Sequence, residues 1–187
     1  MRVPVALRRA FRLLNHGPTT LVSAAHGGRS NVMAATWVMA IDFEPPKLTA
    51  VIAKDTFTRE LMERSGEFVI NIPCRAQVDL VYALGTTSGR EGDKIARFAV
   101  PTAPASLVQA PLVEGCVAWL ECKVLPEAHV QGAYDLFVAE VVAAWADDEV
   151  FIEGEWRFGD DARRTVHHLA HGVFFTTGER IQARRPE

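Results

Sequence analysis

Short apolar runs, each closed by turn residues, dominate the hydrophobic pattern of this chain. Thr19-Thr-Leu-Val-Ser-Ala-Ala25 reads as a strand ended by Gly27-Gly28. Asn31-Val-Met-Ala-Ala-Thr-Trp-Val-Met-Ala-Ile41 reads as a second, largely apolar strand stopped by Pro45-Pro46, and Lys47-Leu-Thr-Ala-Val-Ile-Ala53 as a third. The spacing then turns helical. Phe57, Leu61 and Met62 share one side of a segment that starts near Asp55 or Thr56 and stops near Gly66. Asp and Thr are good helix N-caps and Gly is a usual stop. Glu67–Pro73 returns to strand, and Val78, Leu80, Val81 and Leu84 predict a short helix before Gly85. Thr86–Asp93 is polar loop chemistry, and Cys116–Leu125 and Tyr134–Trp145 predict two later strands. Many strands with few helices predict a mainly β fold, an antiparallel barrel with peripheral helices. A doubly wound parallel sheet would need a regular alternation of strand and helix that this pattern lacks.

The two ends differ from the middle. Val5, Leu7, Phe11 and Leu14 give residues 1–17 one apolar side, which predicts an amphipathic helical lead-in, while 179–187 reads as a mobile polar tail. Arg2, Arg8, Arg9, Arg12 and Arg29 all precede the first acidic residue, Asp42. That bias also occurs in transit peptides, although Arg8, Arg9 and Arg12 interrupt the apolar run and argue against a secretory signal.

Composition narrows the class. The 187 residues are 49% hydrophobic and 23% charged, which suits one globular domain spanning 1–187. No apolar run approaches the ~18 residues of a membrane span, so no membrane association is expected. A formal charge of −3 gives no reason to expect a nucleic-acid partner. Cys74, Cys116 and Cys122 are an odd set without C-x-x-C spacing, as expected of buried reduced thiols in a cytoplasmic protein.

Several catalytic arrangements are absent: G-x-S-x-G, H-E-x-x-H, a Walker loop and the Rossmann G-x-G-x-x-G. A nucleotide cofactor would need another device, and the stretch Asn31–Thr58 offers one. Small residues (Ala34, Ala35, Thr36) let a flat ligand approach the backbone, Asn31 and Thr36 add polar handles, and Trp37 adds a broad apolar face. Helix-start N–H groups with Thr56, Thr58 and Lys54 make a candidate phosphate cradle. The same residues also read as a plain helix start, with Thr56 as its cap and Thr58 facing solvent. His167-His168-x-x-His171 would place His168 and His171 on one helix face. It lacks a well-placed further ligand beyond Asp160 and Asp161, so no metal is expected. Trp119, Trp145 and Trp156 read as packing residues, and the Arg163-Arg164 and Arg184-Arg185 pairs as surface charge.

Taken together, Asn31–Trp37, Thr56-Phe-Thr58, Phe68-Val-Ile-Asn71 and Ser88-Gly-Arg-Glu-Gly-Asp-Lys94 resemble the flavin reductase-like, FMN-binding split β-barrel family. The likeness is greatest to its flavoredoxin-type members and runs from about Pro18 to Gly178. It implies a Greek-key split barrel with FMN, or alternatively FAD, in a groove at a homodimer interface. It also implies NAD(P)H as hydride donor. By that resemblance Asn31, Thr36 and Trp37, beside Ala34, line the isoalloxazine and ribityl chain. Lys54, Thr56 and Thr58 surround the phosphate, with Arg90 near it or near the ribityl chain. Lys94 approaches the cofactor, where a cation beside N1 and the C2 carbonyl would stabilise the anionic reduced ring, and Phe174 closes over the flavin. One departure stands out: Gly132-Ala-Tyr-Asp135 replaces the family's common Gly-Asp-His, so Tyr134 occupies the histidine position and His129 is the nearby substitute. A phenol is a poor proton donor and acceptor near neutrality. The activity implied is NAD(P)H-dependent flavin reduction, serving a flavin-dependent monooxygenase or a redox protein partner. The alternative is a tightly FMN-bound electron carrier reduced by another protein.

Overall fold

The computed structural model describes residues 1–186. After β1 (Arg2–Pro4) and a 3-10 helix over Leu7–Leu13 come β2 (Thr20–His26), β3 (Arg29–Ala35), β4 (Val38–Phe43) and β5 (Pro46–Val51). Helix α1 (Phe57–Ser65), β6 (Glu67–Ile72), α2 (Val78–Thr86) and α3 (Lys94–Arg97) occupy the middle of the chain. The short strands β7 (Thr102–Ala103) and β8 (Leu112–Val113) pair with each other. Then follow β9 (Ala118–Leu125), α4 (Ala128–Tyr134) and β10 (Leu136–Asp147). Two hairpins end the chain, β11 (Phe151–Ile152) with β12 (Glu155–Trp156), and β13 (Val166–Ala170) with β14 (Val173–Thr176).

The main sheet runs β3-β2-β6-β9-β10-β5-β4, with β1 added on β10, and every pairing is antiparallel. Its two end strands, β3 and β4, are consecutive in the chain, separated only by Thr36 and Trp37. Three residue steps from Ala35 to Val38 reach at most roughly 11 Å, so the sheet must curl until its two edges nearly meet. The result is a barrel split along a seam at Thr36-Trp37. The interior follows the period-2 alternation of the strands. Leu48, Phe68, Ile70, Leu120 and Phe137 are buried in one core. Along β10 the alternation changes phase at a bulge between Val141 and Ala143.

Helix α1 forms where the apolar spacing predicts it. The Thr56 hydroxyl accepts from the Arg59 N–H at 3.3 Å, and Gly66 ends the helix in the left-handed region (φ 71°), its N–H on the Met62 carbonyl. Other expectations need correction. The single strand 31–41 is two strands, because the seam breaks it at Thr36-Trp37 and turns the chain onto the opposite barrel edge. The lead-in is a short strand followed by a 3-10 helix that buries Ala10 and Leu13, three residues apart, as the tighter helix requires. Tyr134 ends α4 rather than opening the last long strand, since Asp135 takes a left-handed conformation (φ 57°) that must intervene before β10. The helix expected around His168 and His171 is the β13–β14 hairpin. His171 (φ 49°) and Gly172 (φ 80°) form its two-residue turn, the positive-φ pair that a type I′ hairpin demands.

Residues 179–186 carry no regular secondary structure, and the last residue of the expected tail, Glu187, lies outside the described residues. Among the described residues no helix is long and apolar enough to cross a membrane. Cys74, Cys116 and Cys122 are all buried and unpaired.

Candidate functional site

The seam and the two helices packed beside it enclose a pair of abutting chambers. The larger, about 500 Å³, takes Ala34, Ala35, Thr36 and Trp37 from the seam, and its lining continues through Tyr82 of α2 to Phe174 of β14. The smaller, about 230 Å³, is lined by Asn31 of β3, Thr56 and Thr58 at the start of α1, Ser88 and Lys94. Met33, Gly85 and Thr86 belong to both, so the two are continuous in space. Glycines stand where α2 and the following loop press closely onto β3. A Cβ at Gly85 would lie 3.1 Å from that of Ala34, and one at Gly89 would collide with the Asn31 side chain.

The smaller chamber is built on a buried polar pair. Asn31 Nδ2 donates to Thr58 Oγ1 at 2.7 Å, and both residues are buried. Thr58 therefore faces Asn31 and the chamber, not solvent. Thr56 caps α1 and also lines the chamber, its hydroxyl donating to the Ala53 carbonyl at 2.8 Å. The two sequence readings of this residue are thus compatible. Lys94 is only 3% exposed, and its Nζ donates to the Leu84 carbonyl at 2.8 Å. Among the described residues no carboxylate pairs with it. Burial pushes its ammonium down from the usual 10.5 to about 8. A buried cation with one carbonyl partner, beside the start of a helix, favours an anion in this chamber.

Not every residue singled out in the sequence joins the lining. Lys54 Nζ instead donates to the Gly132 carbonyl at 2.6 Å and lies 3.8 Å from Asp135. The Arg90 guanidinium clamps the start of α1, donating to the Asp55 carbonyl at 2.9 Å and pairing with Glu60 at 2.9 Å. Tyr134 is 64% exposed, with the His129 ring edge-on to it at 6.0 Å. None of these four residues lines either chamber. Phe174 does line the larger one, its ring 4.9 Å from that of His168.

Three residues that the sequence reading left out of this site turn out to line the larger chamber: Tyr82, His168 and His171. The paired histidines were the available signal, read at helical instead of strand spacing. Arg59 was also missed, because its spacing marks only the Glu63 pair one turn on and none of its long-range partners. Its buried guanidinium donates to Glu63, to the Ile52 and Gln131 carbonyls and to Asp135, tying α1 to the end of β5 and to the α4–β10 junction.

Two other surface features bear on function. A wider basin of about 1170 Å³ lies between the lead-in, β12 and residues 176–180. Its aromatic floor is self-packed, Trp156 stacking on Phe158 at 5.4 Å, and its Arg164 and Arg180 already pair with Asp161 (2.7 Å) and Glu155 (3.0 Å). With its charges spent internally, it is the weaker candidate despite its size. On the edge strand β4 and the seam, Trp37, Met39, Ile41 and Phe43 form an apolar stripe in which Trp37 is 73% exposed. The stripe begins at the wall of the larger chamber.

An apolar slot of small and aromatic residues, continuous with a compact chamber holding a buried cation, suits a ligand that is flat at one end and anionic at the other. Known proteins give this geometry a context. Residues 12–169 match the model of the flavin reductase like domain. The chain is 45% identical over 184 residues to the protein YddH of Escherichia coli K12, covering 97% of each. It superposes on the FMN-binding domain of a flavin reductases-like enzyme from Shewanella baltica OS155 with a TM-score of 0.96, at 46% identity over 98% of both chains. Flavoredoxin from Methanosarcina acetivorans gives a TM-score of 0.76 at 26% identity, over 89% of this chain and 87% of that one. A domain match over most of the chain agrees with the curled antiparallel sheet and its seam: the protein belongs to the flavin reductase-like family and has that family's split-barrel fold.

Proposed function

We propose that the protein binds FMN across the two chambers and acts as an NAD(P)H-dependent flavin oxidoreductase. The observation that carries this reading is the junction of the flat seam-side chamber with the chamber of Asn31, Thr56, Thr58 and Lys94. Their volumes, about 500 and 230 Å³, fall together in the ~300–1,000 Å³ range of cofactor pockets. The flavin, when bound, supplies hydride acceptance and electron storage. The protein's task is placement and exclusion of water. Ala34, Ala35 and Thr36 bed the ring closely against the backbone, and Trp37 and Phe174 cover it with apolar surface. Thr56, Thr58, the α1 amides and Lys94 hold the phosphate, with Asn31 fixing the Thr58 hydroxyl. The compact anion-accepting chamber favours FMN over FAD. Lys54 and Arg90 act indirectly in this reading, by bracing α4 and the start of α1.

Its place in the smaller chamber supports a first role for Lys94 at the anionic tail. A contribution at the ring's N1 side would show as a lower flavin midpoint potential in Lys94→Met. The exposed stripe on β4, contiguous with the ring-side chamber, supports a homodimer in which the partner covers the groove. Buried free thiols suit a reducing compartment such as the cytoplasm.

A second reading is an electron carrier that keeps FMN and is reduced by a partner protein. It is favoured by Tyr134, which replaces the family's common histidine and stands outside both chambers. The absorbance spectrum of the purified protein, followed by anaerobic addition of NADH and NADPH, separates the readings. Flavin absorbance that bleaches rapidly supports the reductase. Flavin absorbance that persists supports the carrier. A colourless protein that takes up no added FMN refutes both.

A further inference from the structure

The smaller chamber sets a nucleophilic amine beside groups suited to hold a phosphate. We infer that Lys94 of the flavin-free protein is a site of acylation by small acyl phosphates, the phosphate seated in this chamber and the acyl carbon delivered to Nζ. This rests on the proposed function only in seating a phosphate there.

Lys94 is 3% exposed and lines the chamber together with Thr56, Thr58 and Ser88. Two hydroxyls there keep a proton to give. Thr58 Oγ1 accepts from Asn31 at 2.7 Å and Ser88 Oγ accepts from the Arg90 N–H at 3.2 Å, and among the described residues neither hydroxyl donates to the protein. Lys94 and Asp55 are the only charged residues in the lining among those described. The one hydrogen bond of Nζ, to the Leu84 carbonyl at 2.8 Å, uses an N–H and leaves the lone pair of the neutral amine for a carbonyl carbon. That neutral form is within reach, because burial lowers the ammonium to about 8. At pH 7 about a tenth of the side chain is then free amine, against roughly one part in three thousand for an unshifted lysine.

The step balances without a redox partner. The Nζ lone pair attacks the acyl carbon, and the bond from that carbon to the bridging oxygen breaks. Inorganic phosphate leaves with the electron pair, and the amine proton passes to solvent. An amide replaces the ammonium, so the chamber loses its cation and should then bind phosphate groups less well. Bound FMN would fill the chamber first, which confines the reaction to flavin-free chains.

The other amines lack this setting, and none of them lines the chamber. The chain has three further lysines. Lys47 pairs with Asp42 at 2.7 Å, Lys54 donates to the Gly132 carbonyl at 2.6 Å, and Lys123 is exposed on β9. The Met1 ammonium is held above its ordinary value by its hydrogen bond to Asp148.

The test treats flavin-free protein with acetyl phosphate and follows acetylation of each lysine by peptide mass spectrometry. Lys94, although buried, is expected to react roughly tenfold faster than the exposed Lys123, as its larger share of free amine requires. Sodium phosphate should suppress that preference, and sodium chloride at the same ionic strength should not. The N-hydroxysuccinimide ester of acetic acid carries no phosphate and should favour Lys123 instead. Equal rates at Lys94 and Lys123 with acetyl phosphate, no protection by phosphate, or the same preference for Lys94 from both reagents would overturn the inference. FMN binding without preferential acetylation of Lys94 defeats this inference alone, and preferential acetylation in a protein that takes up no FMN defeats only the proposed function.

Discussion

Replacing Asn31 by Asp changes almost nothing in shape and sets a carboxylate against the Lys94 cation of the smaller chamber. Asn31 Nδ2 donates to Thr58 Oγ1 at 2.7 Å with both residues buried. The hydroxyl would turn and donate to the new carboxylate, so Thr58 keeps a partner and the fold should persist. What is added is a negative charge in the wall that also carries Lys94. A carboxylate and one phosphate charge about 4–8 Å apart, at an effective dielectric of about 20, repel by roughly 2–4 kcal/mol. That corresponds to roughly a 30- to 1,000-fold loss of affinity, and partial neutralisation by Lys94 points to the lower end. Riboflavin, which lacks the phosphate, should weaken by less than about threefold, since only hydrogen-bond rearrangement affects it. Fluorescence-quenching titrations of flavin-free protein with FMN and with riboflavin measure both, and a thermal melt of the variant verifies the fold. If FMN binding is unaffected, or both flavins weaken equally, the phosphate does not sit in this chamber.

Three further outcomes follow from the same geometry. Burial holds the Lys94 ammonium at about 8 instead of 10.5, so the unfolded chain binds more protons between these values. The stability of flavin-free protein should therefore rise with pH across that window, and urea melts should show the slope vanish in Lys94→Met. Arg59→Leu removes a buried guanidinium and strands its acceptors. It should cost about 3 kcal/mol in urea melts, the low end for a broken buried pair because Asp135 and Glu63 are partly solvated. Finally, Met39→Glu combined with Ile41→Glu charges the exposed β4 stripe. Sedimentation should show a dimer for the unaltered protein and a monomer for the variant, and a change in neither would remove this strand as the interface.

The parts of the fold legible in the sequence are those set by local physics. Helix α1 was readable because its apolar spacing, its Thr56 cap and its Gly66 stop agree, and the strand runs because turn residues bound them. The break at Thr36-Trp37 was not, because the apolar run continues across it and only closure of the sheet onto its own edge imposes it. The β13–β14 hairpin was misread for a related reason. His168 and His171 are three apart, which looks helical, while the decisive signal was His171-Gly172 as a positive-φ turn. At the site, Thr56 and Thr58 line one chamber together, and Asn31 and Lys94, expected on the ring side, line that same chamber. Lys54 and Arg90 do not reach the lining, since nearby carbonyls and carboxylates capture long cationic side chains, which only the tertiary structure reveals. Arg59 left little trace in the pattern because, apart from Glu63 one turn on, its partners come from the end of β5, α4 and the residue after it.

Whether the joined chambers hold FMN decides the reading of this protein. Calorimetric titration of flavin-free protein with FMN, with the absorbance spectrum recorded at each addition, tests it most directly. Saturation is expected at one FMN per chain, with the flavin bands shifted by transfer into an apolar slot and riboflavin binding more weakly than FMN. No heat and an unshifted spectrum would contradict it.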